Sequence, residues 1–408
     1  MIIYKTEFTR IKELFNLPAY RFQVVISLLC IIIIRLVRLM FPSLLWLNKV
    51  HIRYKQRLLL DRSIQVNKSS KTHKKILRVC VTYYCNVNCS FCYAQIPREE
   101  FKQHMSLADF EFLAHWAKSQ GWESFRLLGG EPTVYPEFKS VLEIARRHKL
   151  SISLSTNGLY NRETSSLLDR CLIESINFSY PQNNLSQEKK SIFYRNITEA
   201  LDKGIPLVAS WVIQCEDDNW QGFIDTIKQC SDQIVLRFST ALPRNQNTLT
   251  PQKLRQNMRK LAKQIMDISS YAYVNNILFF FYRPLFLCMF NKEEIKFLNS
   301  ISPFLFDYRC DCFDVNGDYA NLITVNPDLT CYPCPVVHIK GKKITPDTTR
   351  QEMDRQFKAP IEQLCLQPLM EDCKTCKYFS NYKRQLKNKS SNLGDKTVCQ
   401  GGCFGYRI

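Results

Sequence analysis

The sequence predicts an α/β protein: a partial (β/α)6 barrel of the TIM type, between a basic, apolar N-terminal helical segment and a cysteine-rich C-terminal domain. Three observations predict this architecture. Short apolar runs alternate with helical stretches from residue 76 to residue 282. Lysine and arginine are concentrated before residue 79, and half of the 18 cysteines lie after residue 309. We therefore place the domain boundaries at 1–75, 76–282 and 283–408.

The N-terminal segment, residues 1–75, is basic and partly apolar. Residues 1–78 carry 16 lysines and arginines against three acidic residues, within a net charge of +19 for 408 residues. Residues 22–34 are uncharged, but Arg35 and Arg38 interrupt the apolar run before it reaches the about 20 residues of a membrane-spanning helix. We favour a helix in the membrane interface over one packed on protein or one that spans. Its basic contacts to anionic head groups would be Lys49, Arg53, Lys55 and Arg57.

The compartment follows from the same segment. No small-residue cleavage site follows its apolar run, so we expect a cytoplasmic protein, peripheral on the cytoplasmic face of the membrane. In a reducing compartment, clustered cysteines indicate metal ligands rather than disulfides. Flotation with anionic vesicles tests the docking, and equal recovery of chains with and without residues 1–75 would rule it out. The aromatic residues among the basic ones of the leader, such as Tyr54, form no stacking platform, which disfavours nucleic acid as a partner.

Six short apolar runs are predicted to form the parallel strands of the barrel. They are Ile76–Tyr84, Ser124–Leu128, Ser151–Ser155, Ser175–Ser179, Leu207–Ile213 and Ile234–Phe238. The predicted helices between them include 106–119, with Ser106 as N-cap, and 137–149, which follows Pro136. In such barrels the chemistry lies at the carboxyl ends of the strands. Motifs at those ends are therefore the functional candidates.

A three-cysteine loop directly follows the first predicted strand. It reads Cys85-Asn-Val-Asn-Cys89-Ser-Phe-Cys92. Three thiolates at this spacing can hold one [4Fe–4S] cluster and leave its fourth iron without a protein ligand. Because a small molecule can chelate an open iron, Cys85, Cys89 and Cys92 are the predicted metal-ligating and catalytic residues.

This loop resembles the CxxxCxxC motif of the radical S-adenosylmethionine (SAM) superfamily, in which an apolar or aromatic residue, here Phe91, precedes the last cysteine. The second strand ends in Gly129-Gly130-Glu131-Pro132, which matches the GGEP motif of that family. The resemblance implies that this segment holds the methionine ammonium group of SAM, with the negative charge of Glu131 nearby. Glycines allow backbone to approach a ligand closely. A plain Gly-Pro turn is the alternative.

Further strand ends are similar to the same family. Ser155 and Asn157 lie at the end of the third strand, and Ser179, at the end of the fourth, matches the usual SAM-contacting serine. Residues 180–182, Tyr-Pro-Gln, depart from the more usual Leu-Asp-Gly. Arg237 on the sixth strand is predicted to bind a ribose or a carboxylate, with an ordinary ion pair as the alternative.

The resemblance also implies a reaction. A flavodoxin- or ferredoxin-type donor would reduce the cluster, and one electron would cleave SAM to methionine and a 5′-deoxyadenosyl radical. That radical would remove a hydrogen atom from an unactivated carbon of the substrate. The protein would exclude water and position the target C–H bond.

The C-terminal segment, 283–408, resembles the SPASM type of extension, which carries auxiliary iron–sulfur clusters. The resemblance implies one or two auxiliary [4Fe–4S] clusters, with ligands among Cys310, Cys312, Cys331, Cys334, Cys373, Cys376, Cys399 and Cys403. A structural zinc ion held by the last four is the alternative. Cys365 has the weakest claim to be a ligand. Six cysteines that stand singly in apolar settings are predicted to be core residues: Cys30, Cys80, Cys171, Cys215, Cys230 and Cys288.

Three functions remain open from the sequence. The leading hypothesis is a radical SAM enzyme that modifies a peptide or protein, because family members with this extension commonly do so. Tailoring of a lipid or membrane-linked small molecule is the second, favoured by the basic leader. A non-enzymatic iron–sulfur electron carrier is the third, although such a carrier normally uses four protein ligands for each cluster.

Overall fold

The computed structural model describes residues 76–402, apart from 183–184, 215–218, 232–233, 242–250, 276, 302–322, 335–336, 338, 340, 369 and 389–397. The predictions for residues 1–75, Cys310, Cys312 and Cys403 therefore lie outside the described residues. The helices are α1 (Gln95–Glu100), α2 (Leu107–Ser119), α3 (Phe138–Arg147), α4 (Arg162–Leu167), α5 (Gln187–Asp202), α6 (Trp220–Cys230), α7 (Pro251–Val274), α8 (Lys292–Ile301), α9 (Arg350–Leu366), α10 (Asp372–Thr375) and α11 (Lys377–Asn388). Within these described ranges, no helix combines the length and hydropathy needed to cross a membrane.

The strands of the described residues form one nine-stranded sheet. They are β1 (Ile76–Thr82), β2 (Ser124–Gly129), β3 (Ser151–Thr156), β4 (Ile173–Ser179), β5 (Leu207–Ile213), β6 (Val235–Thr240), β7 (Phe279–Phe281), β8 (Thr324–Val325) and β9 (Cys331–Tyr332). The order is β7-β6-β5-β4-β3-β2-β1-β8-β9. All neighbours pair in parallel except β8 and β9. The predicted fold class, a partial TIM-type barrel, is confirmed.

Alternation of side chains along each strand separates the helix-facing core from the barrel interior. On β1, Leu77, Val79 and Val81 are fully buried in the main core, whereas Cys80 between them belongs to a smaller cluster on the other face. Helix α2 packs on the main core and begins after Ser106, whose hydroxyl accepts the N–H of Asp109 at 3.0 Å. This N-cap was predicted from the sequence.

The six predicted strands are all present, with ends that differ by at most two residues from the prediction. Strand β7 was not predicted from the sequence, and it is only three residues long. The hairpin of β8 and β9 lies within the predicted C-terminal domain but pairs with β1. The sheet therefore crosses the boundary that we predicted at residue 283.

Candidate active site

The three-cysteine loop lies at the carboxyl end of β1, where this fold carries its chemistry. Cys85, Cys89 and Cys92 are half-buried, and the N–H of Cys92 donates to the carbonyl of Cys89 at 3.2 Å. Burial raises the pKa of the Cys85 thiol, and the nearby charges of Glu131 and Cys92 raise it further. A metal cluster would therefore stabilise the Cys85 thiolate, which the bare loop disfavours.

Asn157, at the end of β3, connects this loop to the neighbouring strand. Its side-chain amide donates to the sulfur of Cys85 at 3.6 Å and to Oδ1 of Asn86 at 2.6 Å. Asn86 in turn donates to the carbonyl of Leu159 at 3.0 Å. Two asparagines therefore hold the first cysteine of the loop in place.

The GGEP turn continues the pairing of β2 with the end of β1. The N–H of Gly130 donates to the carbonyl of Thr82 at 3.0 Å, and that of Glu131 donates to the carbonyl of Tyr84 at 2.7 Å. A Cβ on Gly130 would lie 2.1 Å from the Tyr84 oxygen, and one on Gly129, which has a φ of +126°, would lie 2.4 Å from the Thr82 oxygen. Both positions thus require glycine, because the chain's own backbone lies too close to leave room for a side chain. The sequence suggested a different reason, the close approach of this backbone to a ligand.

Glu131 lies beneath this turn and is 1% exposed. Its carboxylate accepts four hydrogen bonds: from the N–H and the hydroxyl of Thr133, from the Thr156 hydroxyl at 2.7 Å and from the Asn157 N–H at 2.6 Å. Burial raises its pKa, and these hydrogen bonds partly offset that effect. Glu131 therefore fastens the end of β2 to the end of β3, and its contact with SAM stays a prediction.

A chain of polar side chains that sequence reasoning missed supports the cysteine loop from the other side. The Ser90 hydroxyl donates to Oε1 of Gln214 at 2.8 Å, and the Gln214 amide donates to Oε1 of Gln182 at 3.2 Å. Gln182 then donates to the carbonyl of Val212 at 2.7 Å. Gln182 belongs to the segment that departs from the family pattern. Here it joins the ends of β4 and β5 to the loop.

The remaining predicted SAM-binding residues share the same edge of the sheet. Phe91 is half-buried in the cysteine loop, and Pro132 begins a short 3-10 turn. Ser155 and Ser179 are half-buried near the carboxyl ends of their strands, with Ser179 opposite Ser210 in register. The fold brings these residues to one edge, and their contacts with SAM stay predictions.

Four arginines meet in the barrel interior and at its rim: Arg78, Arg126, Arg237 and Arg283. Arg78 and Arg126 are register partners on β1 and β2. Desolvation lowers the pKa of Arg237 to about 10, and the other three arginines lower it further. Its Cζ lies 3.7 Å from the centre of the Tyr282 ring, and among the described residues its buried Nε has no hydrogen-bond partner. The negative charge of Glu174 offsets part of the positive charge at Arg126. The four arginines still make the interior cationic, so it suits an anionic group.

The C-terminal cysteines differ in their surroundings. Cys331 is 1% exposed, and its thiol donates to the carbonyl of Lys342 at 3.1 Å, whereas Cys334 is half-buried. Cys373 and Cys399 are buried, and Cys376 is half-buried. Cys365 is fully buried on α9. The ligand roles of the others stay predictions.

The expectation that the single cysteines are core residues is correct for Cys80, which is buried, but wrong for two others. Cys171 and Cys288 are exposed, and Cys230 is half-buried. Cys30 and Cys215 lie outside the described residues. Cys171 lies in the turn before β4, and Cys288 lies in a 3-10 turn, Leu287–Met289, that follows β7. Local apolarity in the sequence therefore did not predict burial of these two side chains.

Cys288 lies near three of the predicted cluster ligands. The N–H of its neighbour Leu287 donates to the sulfur of Cys399 at 3.5 Å. Desolvation raises the pKa of the Cys288 thiol to about 12, and nearby Cys399, Cys373 and Cys376 also raise it. The sequence contains no signal for this grouping, because Cys288 is distant along the chain from the other three.

A thiol-rich loop at this edge of a partial barrel defines a domain that binds SAM through an iron–sulfur cluster. Residues 79–210 match the model of the Radical SAM superfamily. This part of the chain therefore carries a radical SAM domain, and members of that superfamily use a [4Fe–4S] cluster together with SAM.

Curated relatives match a part of the chain. The GTP 3′,8-cyclase of Desulforamulus reducens is 28% identical over 182 residues, which are 41% of this chain and 55% of that protein. The Probable GTP 3′,8-cyclase of Thermococcus kodakarensis is 28% identical over 103 residues, 25% of this chain and 34% of that protein. The chain thus spans from about a third to just over half of the length of these curated relatives.

Solved structures are similar over more of the chain. The anSMEcpe protein with bound AdoMet has a TM-score of 0.55 at 18% identity, covering 82% of this chain and 90% of that one. SuiB of Streptococcus suis bound to S-adenosylmethionine has a TM-score of 0.50 at 15% identity, covering 83% and 80%. These likenesses concern the fold, and they cover more of the chain than the barrel alone.

The donors at the cysteine loop fit a cluster. Within the described ranges, no three His, Cys, Asp or Glu side chains converge closely enough to hold a single metal ion. A cubane cluster does not require such convergence, because each thiolate binds a different iron. Three cysteines of one loop, with an amide donor at the sulfur of Cys85, are a suitable set of ligands for three of the four irons.

Proposed function

We propose that the protein is a radical SAM enzyme that modifies a peptide or protein. The observation that carries this proposal is the cysteine loop at the end of β1, fastened by Asn157 to the end of β3 and adjacent to the GGEP turn. Two neighbours in fold support the substrate class. One structure of anSMEcpe contains AdoMet and the Cp18Cys peptide, and one of SuiB contains the precursor peptide SuiA.

When bound, the reduced cluster would supply the electron for reductive cleavage of SAM, the source of the hydrogen-abstracting radical. The residues of this chain would position the reactants. Cys85, Cys89 and Cys92 would bind three irons, and the turn over Glu131 would orient SAM. The barrel would keep the radical from water.

A second candidate substrate is a small anionic molecule, and the cationic barrel interior favours it. Arg126 and Arg237 lie inside the barrel, and the guanidinium Nε of Arg237 is buried with no hydrogen-bond partner among the described residues. A phosphate or carboxylate would supply the missing acceptor. A phosphorylated lipid or another membrane-linked small molecule belongs to this class. The relatives named GTP 3′,8-cyclase, by their names, act on a phosphorylated nucleoside.

One experiment separates the two substrate classes. The reconstituted, reduced enzyme is incubated with SAM and a cell extract, and formation of 5′-deoxyadenosine is compared before and after the extract is treated with protease. Loss of stimulation after proteolysis is the result expected for a peptide or protein substrate. Stimulation that survives proteolysis would contradict that class and favour the small anionic molecule. An Arg237→Gln variant, which removes the charge, should then respond only weakly.

Two partners also belong to this proposal. A reducing donor of the flavodoxin or ferredoxin type would supply the electron to the cluster. The basic leader, residues 1–75, would bind the enzyme to an anionic membrane surface on the cytoplasmic side. The leader lies outside the described residues, so its charge and apolar run are the support for this docking.

A further inference from the structure

Cys399 connects two segments that each carry another cysteine. Its N–H donates to the carbonyl of Tyr378, at the start of the helix that follows Cys376, at 3.3 Å. Its sulfur accepts the N–H of Leu287, the residue before Cys288, at 3.5 Å. These backbone contacts bring Cys288, Cys376 and Cys399 together from distant parts of the chain.

The pair Cys373 and Cys376 is presented by the short helix α10. The N–H of Cys376 donates to the carbonyl of Cys373 at 3.3 Å, which closes the turn between the two thiols. An ion pair between Arg255 on α7 and Asp372 holds α10 against the helix that precedes β7. The pair is therefore positioned before any metal binds.

The two glycines after Cys399 shape its surroundings. Gly401 and Gly402 have φ angles of +78° and +80°, which favour glycine. The N–H of Gly401 donates to the sulfur of Cys399 at 3.4 Å. A Cβ on Gly402 would lie 2.4 Å from the ring of Phe286, so this turn is packed against the segment that leads to Cys288. A sulfur that accepts two backbone N–H groups is well suited to act as a cluster thiolate.

We propose that Cys288 is the fourth protein ligand of an auxiliary [4Fe–4S] cluster that Cys373, Cys376 and Cys399 also bind. In the zinc alternative drawn from the sequence, Cys403 occupied this place. Four thiolates can bind one cubane, with one thiolate at each iron, or a single zinc ion, and the metal content measured in the test distinguishes the two. The proposal does not depend on cleavage of SAM.

Such a cluster would join the two halves of the molecule. Cys288 follows β7, the last strand on one side of the sheet, whereas Cys373, Cys376 and Cys399 belong to the C-terminal extension. Because β1 and β7 run in the same direction, the chain leaves β7 at the edge that also carries the three-cysteine loop. Metal at Cys288 would therefore fasten the extension to the active edge of the barrel.

The test uses the full chain in which Cys85, Cys89 and Cys92 are replaced by alanine, so that only auxiliary iron remains. Into this background Cys288→Ala is introduced, and Cys171→Ala, another exposed single cysteine, serves as the matched control. Both proteins are reconstituted anaerobically with iron and sulfide. Iron, sulfide and zinc contents and electron paramagnetic resonance spectra are then compared, with circular dichroism to check that both variants fold.

The Cys288→Ala protein is expected to lose at least about one iron per chain, the iron that Cys288 binds, and up to about four if the cluster is not retained. A partly retained cluster should give the oxidised-state resonance of a three-iron cluster, absent from the Cys171→Ala control. Equal iron contents and identical spectra in the two variants would overturn the proposal. Zinc in place of iron in the control would also overturn it.

Discussion

Gly130 has no space for a side chain, because the position of a Cβ lies 2.1 Å from the carbonyl oxygen of Tyr84 and 2.5 Å from the carbonyl atoms of Tyr83. Those neighbours are backbone atoms at the start of the cysteine loop, so they cannot move without moving the loop. The end of β2 and the beginning of the loop are thus one packed unit. A change in either should therefore displace the metal ligands of the loop.

The first prediction concerns Gly130→Ala. We expect it to lower the free energy of unfolding by about 1–3 kcal/mol through overpacking and to weaken binding of SAM, because the backbone that leads into the loop is displaced. Urea unfolding and equilibrium binding of SAM to the reconstituted protein measure the two effects.

Gly204→Ala is the matched control for that variant. Gly204 has a φ of +68°, but a Cβ there would meet nothing within 4 Å. Only backbone strain of about 1–2 kcal/mol should result, with no change in SAM binding. If both alanine variants bind SAM as the parent protein does, the expected coupling between the GGEP turn and the cysteine loop is contradicted.

The residues of the site were predictable where they follow each other at a fixed spacing. Cys85, Cys89 and Cys92 and the GGEP turn are of this kind. The hydrogen bonds of Glu131 with Thr156 and Asn157 and the connection from Ser90 to Gln182 were not predictable, because they join residues that are distant in the sequence. Cys288 was likewise not predictable as a site residue, because the packing of three segments determines which residues lie beside it.

At the scale of elements, helix α5 holds the loop that follows β3. The amide of Asn196 on α5 donates to the carbonyls of Gly158 and Tyr160 at 2.8 and 2.9 Å. The ring of Phe193 is fully buried, with its centroid 6.0 Å from that of Phe178 and 5.1 Å from that of Tyr180. Because this loop begins beside Asn157, α5 indirectly supports the Cys85 end of the active site.

Phe193→Ala is therefore expected to destabilise the protein by roughly 3–5 kcal/mol, through lost burial and the cavity that remains. It should also reduce the amount of iron retained by the three-cysteine loop, since the loop after β3 loses its support. Val274→Ala is the control, because Val274 at the end of α7 is 70% exposed and its change should stay within about 0.5 kcal/mol. Similar urea midpoints for the two variants would contradict this account of α5.

The elements themselves were predictable to different degrees. Six strands were predicted because each combines an apolar run with a following helix. Strands β7, β8 and β9 have three residues or two, too few to produce a period in the sequence. Their place in the sheet depends on long-range pairing, which is visible only in the folded chain.

At the scale of the whole molecule, the barrel and the C-terminal segment share one sheet through the pairing of β1 with β8. The division at residue 283 describes the cysteine content better than it describes the fold. The proposed ligand Cys288 would connect the two parts a second time. One connection is at β1 and the other follows β7, the first and the last of the seven parallel strands that carry the active edge.

The central claim is that the loop at Cys85, Cys89 and Cys92 binds the cluster that cleaves SAM. The most direct test is anaerobic reconstitution with iron and sulfide, addition of dithionite and SAM, and detection of 5′-deoxyadenosine by mass spectrometry. We predict that the parent protein forms deoxyadenosine, and that the triple alanine variant forms none while it keeps iron in the C-terminal segment. Deoxyadenosine from the triple variant at the parent's rate, or a fully loaded parent protein that neither binds nor cleaves SAM, would contradict the account.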